Sequence, residues 1–140
     1  LSGGPCVENG KLNDAAAAAK AKALNQAGEL CRGLGIRAAY HNHGPEFAAG
    51  GQEMLALARD TDPKLVDFVI DAGHGMRAGG DVLAFFRANH KRIAGMHLRD
   101  FRGDEQLPLG QGSFDYRPLA EAIRKAKWQG WLISEEERLN

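Results

Sequence analysis

Four strand-length apolar segments alternate with stretches of helical spacing along the chain, and that alternation constrains the fold more than any other feature. The segments are 36–40, 65–70, 92–96 and 131–134, each rich in branched or apolar residues and bounded by turn formers. Ahead of the first, Asn13 or Asp14 can cap an alanine-rich helix that continues through Leu24 and Leu30 to Gly33 and Gly35. A short helix is expected over 52–59, stopped by Asp60-Thr61-Asp62-Pro63. Another begins after Asp81, an N-cap ahead of Val82, Leu83, Phe85 and Phe86, and a last one covers 116–127. Strands separated by helices of this length pair in parallel through crossovers, with the sheet covered on its faces. No pair of strands is close enough in sequence for a tight hairpin. The expected class is therefore α/β, a class in which chemistry collects at the carboxyl ends of the strands.

The reactive residues fall at those ends. The first segment runs into His41-Asn42-His43-Gly44-Pro45-Glu46, the second into Asp71-Ala72-Gly73-His74, the third into His97-Leu98-Arg99-Asp100 and the fourth into Glu135-Glu136-Glu137. Four of the five histidines thus follow strands, while His90 sits at a helix end. Imidazole nitrogen with carboxylate oxygen and no thiolate suits a divalent ion such as Mn²⁺, Mg²⁺, Co²⁺ or Zn²⁺. An ion held this way grips two oxygens of a polyol or hydroxy-ketone and stabilises an enediolate while a neighbouring carboxylate or histidine moves the proton. Each residue also has a structural reading. Asp71 stands at the spacing of a strand-end cap for His74, His97 can satisfy backbone groups alone, and an acidic run near a terminus is usually solvated, with one or two members turned inward.

Composition narrows the partners. Among 140 residues there are 18 basic and 18 acidic side chains, a formal net charge of zero, so the chain lacks the basic footprint of a phosphate-backbone binder. No apolar run approaches the roughly 20 residues that span a bilayer. Cys6 and Cys31 are isolated thiols without CxxC spacing, which suits a reducing compartment, the cytoplasm. There is no phosphate loop of the GxxxxGK type, and Gly110-Gln111-Gly112 reads as a loop leading to an N-capping Asp115. The contiguous His41-Asn42-His43 does not indicate an HNH nuclease, because there the letters label dispersed residues of a ββα-metal element.

In order along the chain, YHNHGPEF, DPKLVDFVIDAGHGMRAGGD, RIAGMHLRD, LGQGSFDY and GWLISEEE resemble the sugar phosphate isomerase/epimerase group of xylose-isomerase-like TIM barrels, from about residue 13 to 137. The resemblance implies a (β/α)8 TIM barrel, of which this chain covers about four carboxyl-terminal βα units as a single domain over 1–140. It implies a divalent ion at the ends of the fifth to eighth barrel strands. Matched motif by motif, Asp71, His97 and Glu135 become ligands from the last three of those strands, and His74 a residue facing substrate. The fifth strand departs from the pattern, since many ketose epimerases carry a glutamate where His41 stands. Either His41 ligates the ion and Glu46 reaches the substrate, or Glu46 returns to the ion while His41 and His43 shuttle protons. The strand-end phase of His41 favours the first arrangement.

The function expected first is a metal-dependent isomerase or epimerase of a small sugar, sugar phosphate or keto-polyol, with Glu46, His43 and His74 as the catalytic groups. Its alternative is a lyase on the same scaffold, because the His41 departure disturbs a symmetric two-carboxylate exchange. Such a lyase removes a proton alpha to a carbonyl and expels hydroxide or alkoxide, as in a keto-inositol dehydratase or a 3-keto-glycoside elimination. Phosphodiester cleavage, a chemistry of the endonuclease IV group on this barrel, is disfavoured by the neutral charge. A TIM barrel typically takes about 250 residues, so a catalytically incomplete half barrel, truncated at both ends, is the non-enzymatic expectation. The expected partners are a carbohydrate substrate and either a second copy or a missing amino-terminal half, with no nucleic acid and no membrane.

Overall fold

In the computed structural model, which describes residues 3–136, the chain opens with a hairpin of β1 (Val7–Glu8) and β2 (Lys11–Leu12). Asn9 and Gly10 close it at φ 51° and 74°. Two successive residues at positive φ form the primed turn whose twist matches that of paired strands, and Asn-Gly is its strongest sequence signal. The expectation that no strands lie close enough for a tight hairpin is therefore corrected, and a second hairpin occurs later in the chain.

After the first hairpin come α1 (Asp14–Gly33), β3 (Ala38–His41), a 3-10 turn (Pro45–Phe47), α2 (Ala48–Asp60), β4 (Val66–Asp71) and α3 (Ala72–Arg77). Then follow α4 (Val82–Asn89), β5 (Ile93–Leu98), the second hairpin of β6 (Asp100–Arg102) and β7 (Glu105–Leu107), α5 (Arg117–Ala126) and β8 (Trp131–Ser134). Asn13 Oδ1 accepts from Ala16 N at 3.0 Å and Asp81 Oδ1 from Ala84 N at 2.8 Å, so both expected caps form. Regular helix in α2 begins only after Ala49, Gly50 and Gly51, which have positive φ, and this agrees with the expected start at residue 52. Asp115 does not cap α5 in the usual way; it accepts from the Arg117 backbone N and holds the Arg117 guanidinium, while Tyr116 occupies the cap position.

The four longer strands form one parallel sheet in the order β3-β4-β5-β8. Tyr40 pairs with Phe68 and Ile70 with Met96, and these side chains face the helices, where they join Phe47, Phe86, Met54 and Leu57 in the main core. Alternation places the other set on the opposite face. There the pairing His41–Val69–Gly95–Trp131 makes one row and Asp71–His97–Ile133 the next. Strands β3 to β5 extend one or two residues beyond the sequence expectation, so His41, Asp71 and His97 belong to the strand ends themselves. Among the described residues no helix is long and apolar enough to cross a membrane.

Candidate active site

Backbone ties between neighbouring strand ends build the site. Asn42, fully buried, accepts from Asp71 N at 2.9 Å and donates to Asp71 O at 3.1 Å, which pins the exit of β3 to that of β4. Alternation then turns His41 and His43 away from Asn42, toward the open face. Asp71 ends β4 and caps α3, its Oδ1 accepting from His74 N at 2.8 Å. The cap geometry that the sequence offered as a structural reading is thus present. It coexists with a place in the cluster, since Asp71 is buried and its remaining oxygen faces other charged groups. Close approach of α3 to β5 depends on Gly73, where a Cβ would lie 2.6 Å from the Arg99 Cβ and carbonyl oxygen.

One candidate ligand atom from each of His41, Asp71 and His97 lies within 4.8 Å of the others. The rings are oriented from behind. His41 Nδ1 lies 3.1 Å from the Val69 carbonyl oxygen, and His97 Nδ1 hydrogen-bonds Glu135 Oε2. Both partners can only accept, so each Nδ1 carries the hydrogen and each Nε2 carries the lone pair when the ring is neutral. Metal-binding histidines are held in this way by an acceptor on the far nitrogen. Burial lowers the His41 pKa, against the pull of the Val69 carbonyl, and so favours the neutral, ligating form. A mixed nitrogen and oxygen donor set of this kind fits a divalent ion of the borderline class.

Arg99 is the residue that sequence reasoning did not single out. Its Nε donates to Asp71 Oδ2 at 2.7 Å and its Nη2 to Glu135 Oε1 at 2.5 Å, so one buried guanidinium joins two strand-end carboxylates. Tyr116 Oη donates to the Arg99 carbonyl at 2.5 Å and ties down the link between β5 and β6. No short motif announces these roles; the arginine is visible in sequence only as the residue two beyond His97, on the same face. Asp100, also buried, accepts from Gly110 N and Gly112 N and so shapes the glycine-containing loop.

The other expected residues separate into two groups. His43 and His74 extend the row of imidazoles: ring centroids are 4.7 Å apart for His41–His97, 5.3 Å for His41–His43 and 5.9 Å for His43–His74. Beside them a cleft of about 450 Å³ is lined by His43, Gly44, Pro45, His74 and Arg77. Burial pushes the His74 pKa down, outweighing Asp71. Glu135 stands behind His97, outside the three-residue group. Burial alone would raise its carboxyl pKa, yet the His97 hydrogen bond and the Arg99 charge together bring it below the usual carboxylate range. Glu46 is turned inward, accepting from Tyr40 Oη at 2.9 Å and His43 N at 3.0 Å, and is 2% exposed. It neither joins the cluster nor faces the cleft. Glu137, the third acid of the terminal run, lies outside the described residues.

Residues 3–139 match the profile of the xylose isomerase-like TIM barrels. The chain belongs to that family. Inosose dehydratases of Lactiplantibacillus plantarum and Lacticaseibacillus casei are 28% and 30% identical to it, each over 84% of this chain and over 45% and 46% of their own lengths. The chain thus spans a little under half of the curated relatives it matches. Among solved structures of the fold, a sugar phosphate isomerase/epimerase of Parabacteroides distasonis superposes with a TM-score of 0.76 at 21% identity, covering 96% of this chain and 49% of that one. The IolI protein with a bound zinc atom superposes at 0.75 and 16% identity, covering 94% and 50%. The four-stranded sheet is therefore a partial xylose isomerase-like TIM barrel.

Proposed function

We propose that this chain carries the metal-holding part of a lyase that removes water from a small keto-polyol of the inosose type. The observation that carries the reading is the make-up of the proton-moving layer. His43 and His74 stand beside the cluster, whereas Glu46, the acid that a two-carboxylate exchange would use, is turned into the interior. The dehydratases among the curated relatives support the same choice, so the isomerase expected first stands second to its alternative.

His41 and His97, through Nε2, and Asp71 would hold the ion, with Glu135 and Arg99 orienting them. Bound there, a divalent ion would polarise the substrate carbonyl and make the neighbouring carbon acidic. His74, kept neutral by burial, accepts the proton alpha to the carbonyl. The electron pair of that C–H bond forms a carbon–carbon double bond as the β-hydroxyl C–O bond breaks. His43, exposed at the cleft, delivers the proton with which the hydroxyl leaves as water.

Metal analysis of purified Asp71→Asn and His97→Ala proteins tests the ligand set, with the metal of both expected to fall well below that of the parent. Unchanged content in both sinks the assignment. Incubation of the metal-loaded protein with a keto-inositol in heavy water tests the reaction. Loss of one water with a new enone absorbance supports the lyase, whereas deuterium uptake at unchanged composition supports an isomerase.

A further inference from the structure

We infer that Arg77 makes the cleft beside the histidines a receptor for a carboxylate, so that the keto-polyol taken by the site is an anionic one. The inference rests on the proposed reaction for the placing of the substrate, and adds the chemical class of the group remote from the ion. The cleft, about 450 Å³, is lined from 43–48 and 74–78, the stretches that follow β3 and β4. Those strands pair with each other, so both walls come from adjoining units. Pro45, Ala48 and Ala78 supply apolar surface, and His43, His74 and Arg77 the polar side chains. Among the described residues no carboxylate lines it. A neutral polyol offers hydroxyl donors that call for acceptors, and a guanidinium has none.

Arg77 is held ready for such a group. It closes α3, and its Cζ lies 4.9 Å from the centroid of the Phe101 ring. Phe101 is buried on β6, and its ring centroid also stands 5.7 Å from that of His74. A guanidinium laid over an aromatic face loses little freedom on binding, and its planar fork matches a carboxylate in a bidentate fashion. Arg77 already holds one carboxylate, since its Nη2 donates to Asp104 Oδ1. Asp104 lies in the turn between β6 and β7, and its side chain is 98% exposed. An ion pair so open to water is worth little, so a substrate carboxylate can take the place of Asp104 at small cost.

The imidazole row fixes what this does for the reaction. Ring centroids step from His97 to His41, His43 and His74 at 4.7, 5.3 and 5.9 Å, and Arg77 lies over the Phe101 ring next to His74. A polyol with its ketone at His41, Asp71 and His97 and its carboxylate at Arg77 therefore has its middle carbons beside His43 and His74. Binding energy from a group remote from the reacting carbons then goes into orienting them. A single guanidinium, with no GxxxxGK loop to add backbone donors, fits a carboxylate monoanion better than a phosphate dianion.

Titration of the chelator-treated 140-residue protein with D-glucuronate and with D-glucose tests the inference, followed by the NMR signals of 43–48 and 74–78. The two probes differ by a carboxylate. Glucuronate should bind at least about ten-fold more tightly, as a charge-assisted pair provides. Arg77→Met should erase that preference, whereas Asp104→Asn, which frees the guanidinium, should strengthen glucuronate binding a few-fold. Both variants lose the same ion pair, so a role confined to holding the hairpin predicts the same change in both, and that result overturns the inference. Equal affinity of the parent for the two probes, no binding of either, or a preference that survives Arg77→Met overturns it as well. Tighter binding of glucose 6-phosphate than of glucuronate overturns the carboxylate assignment. Neither metal nor turnover enters the measurement, so failure here and failure of the lyase reading, which the enone assay reports, are read separately.

Discussion

Tyr40 and His41 are adjacent in β3, yet they belong to two polar groups on opposite faces of the sheet. On the helix side, Lys20 Nζ contacts Glu53, Tyr40 Oη at 3.2 Å and the Gly4 carbonyl at 2.5 Å, and Glu53 Oε2 accepts from Cys6 N at 2.6 Å. Tyr40 then donates to Glu46, whose other oxygen accepts from His43 N. Both oxygens of both buried carboxylates thus have protein donors. On the open face Asp71 likewise accepts from His74 N and Arg99 Nε, but Val69 and Glu135 orient the two imidazole rings from behind, and their Nε2 lone pairs remain for a ligand. A polar group whose partners are all internal acts as scaffold, and one whose acceptors converge without donors acts as a site.

That contrast separates stability from metal binding, and substitutions on the two faces can break it. The largest expected effect on stability is that of Glu53→Ala, which strands a lysine whose side chain is only 14% exposed. A loss of about 3–5 kcal/mol in urea unfolding is expected, with metal per folded molecule unchanged. Equal loss on both measures would mean that the two faces are one unit. Glu46→Gln comes next. One amide oxygen cannot accept from both Tyr40 and His43, so about 1–2 kcal/mol is expected, with only a few-fold fall in Co²⁺ affinity as the 41–47 loop loosens. A fall as large as that of His97→Ala would instead return Glu46 to the ion, the second arrangement that the sequence left open.

The alternation that defines the sheet was legible because periodicity survives without tertiary context. Asp81 and Asn13 were equally legible, since a cap needs only its own next turn. The first hairpin was legible too, through Asn9-Gly10, but strands of two residues each carry no periodic signal to draw attention to it. The site divides along the same line. His41, Asp71 and His97 declared themselves by their place at strand ends. The inward turn of Glu46 depends on Tyr40 and on the 3-10 turn at Pro45–Phe47, and the role of Arg99 depends on the register of β4 against β5. Both are facts of packing, which spacing along one chain does not encode.

Glu135 gives the finest test of the comparison, because it can serve either behind His97 or as a ligand in its own right. Its removal takes one of two carboxylates from the buried Arg99 guanidinium, which keeps Asp71, so a smaller loss of stability than in Glu53→Ala is expected. The informative measurement is Co²⁺ affinity in Glu135→Gln set beside Glu135→Ala. A glutamine keeps an oxygen that accepts from His97 Nδ1, so if Glu135 only orients the ring, Glu135→Gln should bind within a few-fold of the parent. Glu135→Ala removes that acceptor and should lose about 10-fold or more, the usual cost of an outer partner. A ligating carboxylate behaves differently, because the neutral amide is a poor substitute for an anionic donor to a divalent cation. Equal, large losses in the two variants would therefore move Glu135 from behind His97 into the coordination sphere.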